Sequence, residues 1–160
     1  MPPSKGKAKR PQSKGKAKRA SRAVHVLSIG YEGHLPESFV EKLMARDVKR
    51  LVDVRALPFS RKKGFSKNPL RQMLEANGIE YVHCRAAGNP FREMKEASLP
   101  VYAAHLAEHP EIVEEFMSHV PEGGPTAVLC YERDEAQCHR SILLQAVRDA
   151  GWKISVARSE

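Results

Sequence analysis

Side chains able to do chemistry gather in residues 130–140, where a glutamate and three consecutive residues stand out: Cys138, His139 and Arg140. A thiol beside an imidazole and a guanidinium favours the nucleophilic thiolate, because positive charge stabilises the anion. The same residues also suit the binding of a substrate anion. We predict catalytic roles for Cys138 as nucleophile and for Glu132 or His139 as acid or base, with Arg140 binding substrate.

The cysteines leave two other interpretations open. Free cysteine is among the most buried residue types, so Cys138 could simply fill the core. Alternatively, Cys130, Cys138 and His139 could supply three zinc ligands, with His34 or His83 as the fourth. Their spacing differs from the usual zinc patterns, in which paired cysteines lie two to four residues apart. We therefore predict no metal and no cofactor.

A second unusual group begins with a carboxylate inside an apolar run. Asp53 lies within Leu51–Val54, and a carboxylate in an apolar strand must be paired or neutralised. Arg55 follows two residues later and so points to the same face of a strand. The pair could be structural or could face a ligand. We predict that Asp53 belongs to the catalytic group and that Arg55 binds substrate.

A glycine-rich loop follows the first apolar run of the chain. It contains Gly30, Tyr31 and Gly33. Glycine lets a backbone turn sharply and approach a ligand without a Cβ in the way. We predict that these three residues bind substrate.

Charge is strongly polarised along the chain. Residues 42–71 contain ten basic and two acidic residues, whereas residues 93–135 contain two basic and ten acidic residues. The basic segment includes Arg61, Lys62 and Lys63 in a predicted loop. Clustered positive charge attracts anions, and we assign these three residues to nucleic-acid binding. A solvated charged surface is the alternative interpretation.

Five apolar, β-rich runs alternate with helical patterns and would position these groups. The strands are predicted at Val24–Ile29, Leu51–Val54, Ile79–His83, Thr126–Tyr131 and Lys153–Ala157. Parallel strands need helical crossovers, so this order predicts a single three-layer α/β domain. Its mostly parallel sheet of about five strands has helices on both faces. Such sheets bind ligands beyond the carboxyl ends of their strands, where loops 30–35, 55–68, 84–98 and 131–138 should meet.

Capping patterns predict where individual helices begin. Pro36 opens the first helix, whose apolar face includes Met44. Asn68 followed by Pro69 is typical of a helix start. Asp134 to Gln137 fits a capping box and would place Cys138 in the first turn of the last helix.

The net charge of +8 comes from the first 22 residues. They hold nine basic residues, no acidic ones, and a repeated Ser-Lys-Gly-Lys-Ala-Lys-Arg segment, whereas the remainder carries a net charge of −1. With nothing apolar to bury, residues 1–22 are predicted to be a disordered basic tail ahead of an α/β domain at 23–160. The chain has no apolar run long enough for a membrane span and no secretory signal, so we predict a cytoplasmic location and no membrane partner.

Four motifs in order resemble the domain-of-unknown-function family 488. They are Ile29-Gly-Tyr-Glu-Gly-His34, Val52-Asp-Val-Arg55, Gly64-Phe-Ser-Lys67, and Leu129-Cys-Tyr-Glu-Arg-Asp134 with Cys138-His-Arg140. The resemblance covers roughly residues 24–157. It implies a small bacterial α/β domain without a settled reaction, and its motif residues carry over as Gly30, Gly33, Asp53, Arg55, Cys130, Glu132, Cys138, His139 and Arg140.

These observations predict an enzyme acting on an anionic substrate, either phosphate-bearing or nucleic acid, at the carboxyl edge of the sheet. The alternative is a non-catalytic nucleic-acid-binding module that uses the basic tail and residues 61–71. An enzyme requires the predicted catalytic residues to converge in one cleft, whereas a binding module requires a continuous basic face. The partner in either case is an anionic small molecule or a nucleic acid.

Overall fold

The computed structural model describes residues 23–158, in which helices pack on both sides of one sheet. The predicted basic tail at residues 1–22 lies outside the described residues. The strands are β1 (Ala23–Gly30), β2 (Arg50–Asp53), β3 (Glu80–His83), β4 (Gly123–Cys130) and β5 (Lys153–Arg158). The helices are α1 (Pro36–Ala45), α2 (Lys67–Ala76), α3 (Ser98–Glu108), α4 (Pro110–Ser118) and α5 (His139–Asp149). None of the helices within 23–158 is long and apolar enough to cross a membrane.

The five strands are ordered β3-β2-β4-β1-β5, and each neighbouring pair is parallel. All carboxyl ends therefore lie at one edge of the sheet. The loops that follow β1, β2 and β4 leave from three adjacent strands, which brings their residues together. The predicted α/β fold with a five-stranded parallel sheet is confirmed.

Strand residues alternate between two apolar cores, one on each face of the sheet. Leu51 of β2 and Leu129 of β4 pack in the core covered by α1 and α2. Their neighbours Val52 and Val128 pack in the core covered by α3, α4 and α5. Both faces are buried, which is why the strands have continuous apolar runs.

Two helices differ locally from their sequence patterns. Met44 is 49% exposed, so the buried face of α1 ends at Leu43. Helix α2 begins at Lys67 rather than after Asn68, with Ser66 as its N-cap residue. The Ser66 hydroxyl accepts a hydrogen bond from the backbone N–H of Ser60 at 2.9 Å and so closes the preceding loop instead of capping the helix.

Candidate active site

A cavity of about 360 Å³ is formed by the loops that follow β1, β2 and β4, together with residues of the β3–α3 connection. Five predicted site residues line it: Tyr31, Arg55, Glu132, Cys138 and His139. Within residues 23–158, the lining does not include Gly30, Gly33, Asp53, Arg140, Arg61, Lys62 or Lys63. The sheet edge thus brings part of the predicted site together around one space.

The start of α5 differs from the predicted capping box. The Asp134 carboxylate accepts a hydrogen bond from the backbone N–H of Ala136 and opens a short 3₁₀ turn, Glu135–Gln137. Cys138 is the N-cap residue of α5, and its Sγ accepts from the backbone N–H of Arg140 at 3.4 Å. The thiol sulfur therefore occupies the place that a serine or aspartate oxygen usually fills at a helix start.

The structure pairs Cys130 with Cys138. Their sulfur atoms are in bonding contact as a disulfide, with the two residues eight positions apart. Both are buried and both line the cavity. The remaining cysteine, Cys84, is free and buried, and burial raises the pKa of its thiol. Among residues 23–158, Cys130 and Cys138 are the cysteines that line the cavity.

His139 is held as a neutral imidazole with one free nitrogen. Its Nε2 lies 2.8 Å from the carbonyl oxygen of Val54, so Nε2 carries the hydrogen and donates it. Burial lowers the pKa of His139 to about 4; the hydrogen bond to Val54 opposes this and the charge of Arg140 reinforces it. Nδ1 is then an unprotonated acceptor, 3.7 Å from Cys138 Sγ. A ring of Tyr102 packs edge-on against the imidazole.

The pKa of His139 predicts a loss of stability in acid. A buried histidine with a lowered pKa stabilises the fold in its neutral form, and this contribution is lost as pH falls from about 6.5 toward about 4. We expect the free energy of unfolding of the wild type to fall more steeply over this interval than that of His139→Asn. Urea denaturation of both proteins at each pH measures the difference, and parallel pH profiles would contradict the assignment.

Arg140 is fully buried and does not line the cavity. Its guanidinium donates to Ser28 Oγ at 2.9 Å, to Cys138 Sγ at 3.3 Å, and to the carbonyl oxygen of Glu132. Burial lowers its pKa to about 10, opposed by the nearby acidic side chains of Glu135 and Glu132. Arg140 therefore connects β1, the β4–α5 loop and the Cys138 sulfur.

Asp53 and Arg55 form a buried ion pair on the α1 and α2 side of the sheet. Arg55 donates to the carboxylate from Nε at 2.8 Å and from Nη2 at 2.7 Å, and the Tyr81 hydroxyl donates to it at 2.5 Å. Burial alone would lower the pKa of Arg55, but hydrogen bonding to and the charge of Asp53 raise it above its usual value. Arg55 lies 5.4 Å from the ring centre of Tyr31 and lines the cavity. Asp53 is 0% exposed and does not line the cavity, and its carboxylate holds the Arg55 guanidinium in place.

The glycines permit close contact between the loops that follow β1 and β4. A Cβ on Gly30 would lie 1.7 Å from the carbonyl oxygen of Glu132, so only glycine fits there. Gly33 has a positive φ of +85°, which favours glycine. Tyr31 donates its backbone N–H to the carbonyl oxygen of Cys130 at 3.2 Å. The loop that follows β1 therefore packs against the end of β4 and the loop after it, at Cys130 and Glu132.

Arg61, Lys62 and Lys63 lie in the β2–α2 loop, apart from the cavity lining. Arg61 and Lys63 are exposed, whereas Lys62 is half-buried and its Nζ lies 5.8 Å from the ring centre of Phe65. These side chains are available to solvent but contribute nothing to the cavity wall.

Several lining residues were not singled out from the sequence: Leu57, Phe59, Asn89, Arg92, Lys95, Ser98 and Tyr131. Phe59 is 69% exposed and Tyr131 is 46% exposed. Phe59 was visible as a large aromatic residue in a predicted loop, and Tyr131 as one at the very end of a predicted strand, where the loop at 131–138 begins. That signal could have identified them.

The sulfur and imidazole groups could also serve as metal ligands. The side-chain ligand atoms of Cys130, Cys138 and His139 all lie within 4.8 Å of one another. Two cysteines and a histidine are a donor set that zinc accepts, and the Val54 carbonyl orients the imidazole as zinc sites often require. The bonding contact between the sulfurs would have to open to admit an ion.

The protein is therefore a parallel α/β domain whose sheet has, at its carboxyl edge, a cavity lined by two cysteines and a histidine. The model of the family described as domain of unknown function DUF488 matches residues 36–147, and the chain belongs to this family. The suspected resemblance is thus confirmed. No curated protein matches the chain.

Proposed function

We propose that this chain is an enzyme that acts on an anionic substrate in the cavity at the carboxyl edge, with Cys138 as nucleophile. The observation that carries the proposal is the contact between Cys138 Sγ and the unprotonated Nδ1 of His139 at 3.7 Å. A neutral imidazole beside a thiol can accept the thiol's proton and so produce the nucleophilic thiolate. The charge of Arg55 is already paired with Asp53, so the exposed Arg92 and Lys95, which line the same cavity, can attract the substrate's negative charge.

The proton and electron pair follow a short path in the reduced protein. The Cys138 thiol passes its proton to Nδ1 of His139, and the N–H groups of Arg140 stabilise the thiolate through the contacts at 3.3 and 3.4 Å. Sγ forms a bond to an electrophilic atom of the substrate as the bond to the leaving group breaks. The imidazolium then returns its proton to the leaving group. Glu132 also faces the cavity and is the alternative acid or base.

Reactivity of the cysteines tests this proposal. After reduction of the disulfide, we expect iodoacetamide to alkylate Cys138 well below pH 8.5 and ahead of Cys84. The reason is that Cys138 is supported by His139 and Arg140, whereas burial raises the pKa of Cys84. Peptide mass spectrometry over a pH series measures each rate, and His139→Asn should slow Cys138 selectively.

Two results would contradict a nucleophilic Cys138. One is alkylation of Cys138 no faster than Cys84 in the reduced protein. The other is stoichiometric zinc in the purified protein that is lost in Cys138→Ser, since the sulfur would then be a metal ligand. Elemental analysis of the wild type and of Cys138→Ser measures the zinc content, and the alkylation series measures the first outcome.

The second candidate function is a nucleic-acid-binding module using residues 1–22 and 61–71. It is favoured by the exposure of Arg61 and Lys63 and by the nine basic residues of the tail. We expect deletion of residues 1–22 to sharply weaken salt-sensitive binding to DNA or RNA, because fewer counterions are released, and to leave the melting temperature unchanged. Salt titrations of both chains measure this. Unchanged affinity would transfer the binding surface to residues 61–71.

A further inference from the structure

Two exposed aromatic side chains stand at the cavity without contributing to either apolar core. Phe59 and Tyr131 line it with 69% and 46% of their residue surface exposed. Tyr131 is held in place, because its ring meets that of Tyr31 edge-on at 5.2 Å and Tyr31 is stacked on Phe65 at 4.6 Å. Positioned, solvent-exposed aromatic rings are the platforms on which proteins stack nucleobases.

Cationic side chains also line this cavity, together with the carboxylates of Glu96 and Glu132. Arg92 and Lys95 are both exposed, both line the cavity, and neither makes an ion pair within residues 23–158. Lys95 has φ 57° and ψ −129°, a conformation that strains an L residue and that glycine would adopt freely. Local strain is thus accepted at a lysine that lines the cavity.

We infer that the cavity takes a nucleotide unit, its base stacked on Phe59 and Tyr131 and its phosphate held by Arg92 and Lys95. The volume of about 360 Å³ is within the range of small-molecule sites. An aromatic platform next to cations matches the two halves of a nucleotide, whereas a simple inorganic anion would leave the rings unused. The inference names the substrate class of the proposed function and rests on that proposal for the chemistry at Cys138.

Calorimetric titration of the full chain with the four nucleoside monophosphates tests the inference, with ribose 5-phosphate and inorganic phosphate as probes that lack a base. We expect at least tenfold tighter binding of one or more nucleotides than of ribose 5-phosphate. Phe59→Ala and Tyr131→Ala should each weaken nucleotide binding by about fivefold or more, because stacking is lost. Tyr131→Phe keeps the ring and should bind as the wild type does.

Controls separate stacking from charge and from general surface effects. Met44→Ala removes a similarly exposed apolar side chain from α1, outside the cavity lining, and should leave binding unchanged. Arg92→Gln and Lys95→Gln should weaken the binding of nucleotides and of ribose 5-phosphate by the same factor, because both ligands carry the phosphate. Equal affinity for nucleotides and ribose 5-phosphate, or full binding by both ring-deleted variants, would overturn the inference.

A comparison of thymidine monophosphate with an eight-nucleotide thymidine strand identifies the source of the unit. A strand that binds more than tenfold tighter, with the advantage lost in Phe59→Ala, indicates single-stranded nucleic acid; equal affinity indicates a free nucleotide. Binding through the basic tail would be insensitive to Phe59. Nucleotide binding by a protein whose Cys138 is alkylated no faster than Cys84 would support this inference and refute the proposed nucleophile. Faster alkylation of Cys138 in a protein that binds no nucleotide would refute this inference and support the proposed nucleophile.

Discussion

Replacing Asp53 with alanine is expected to lower the free energy of unfolding by about 3–5 kcal/mol. The substitution leaves the Arg55 guanidinium in a buried position without the carboxylate that it contacts at 2.7 and 2.8 Å. It also removes the acceptor of the Tyr81 hydroxyl. Urea denaturation monitored by circular dichroism measures the change.

The exposed ion pair between Arg50 of β2 and Glu80 of β3 provides a control, since it also pairs an arginine with a carboxylate but lies in solvent. Its carboxylate side chain is 57% exposed, so Glu80→Ala should cost less than about 1 kcal/mol. If Asp53→Ala fails to fold, the double variant Asp53→Leu with Arg55→Met should recover much of the stability, because no unpaired charge remains. Equal effects of Asp53→Ala and Glu80→Ala would show that the buried pair is not structurally important.

Replacing Gly30 with alanine is expected to cost about 3 kcal/mol or more, the upper part of the range for overpacked sites. The new Cβ would lie 1.7 Å from the carbonyl oxygen and 2.3 Å from the carbonyl carbon of Glu132, both backbone atoms of the β4–α5 loop. Relief of the clash must move that carbonyl away from Arg140, which donates to it. Thermal denaturation measures the stability, and the alkylation rate of Cys138 measures the displaced loop.

Gly78→Ala provides the comparison for Gly30→Ala. Gly78 has φ +77° and no heavy atom within 4 Å of its virtual Cβ, so alanine meets only the strain of the left-handed conformation there, about 1–2 kcal/mol. We expect the cysteine reactivity of this variant to remain that of the wild type. A Gly30→Ala protein as stable as Gly78→Ala would contradict the tight contact with Glu132.

The architecture could be predicted because strands that are buried on both faces consist of consecutive apolar residues. Runs such as Leu51–Val54 indicated burial on both faces, and alternation with helices then required parallel pairing. Helix starts were harder, since capping depends on where a loop can place its oxygen or sulfur atoms. Ser66 was needed to close its own loop, and a thiol at Cys138 took the N-cap position of α5. Neither feature can be recognised from the spacing of apolar residues along a helix.

The site was predictable where strand geometry fixes it and not where loops do. The same-face spacing of Asp53 and Arg55 predicted their pairing, which the structure contains. The bonding contact of Cys130 with Cys138 depends on the path of the intervening loop, which includes a 3₁₀ turn that no pattern indicated. Lys95 likewise reaches the cavity wall through a backbone conformation that its side chain disfavours.

The hydrogen bond from His139 to Val54 ends on a peptide carbonyl, and this has an evolutionary consequence. Histidines at reaction centres are often oriented by a carboxylate side chain, which a single mutation can remove. Here the acceptor belongs to Val54, the residue directly after β2, whose N–H donates to the Leu129 carbonyl at 3.1 Å. Any residue that packs at position 54 supplies the same oxygen. The backbone of the sheet therefore determines which nitrogen of His139 carries the hydrogen. Substitutions of the surrounding side chains can occur without loss of this hydrogen bond.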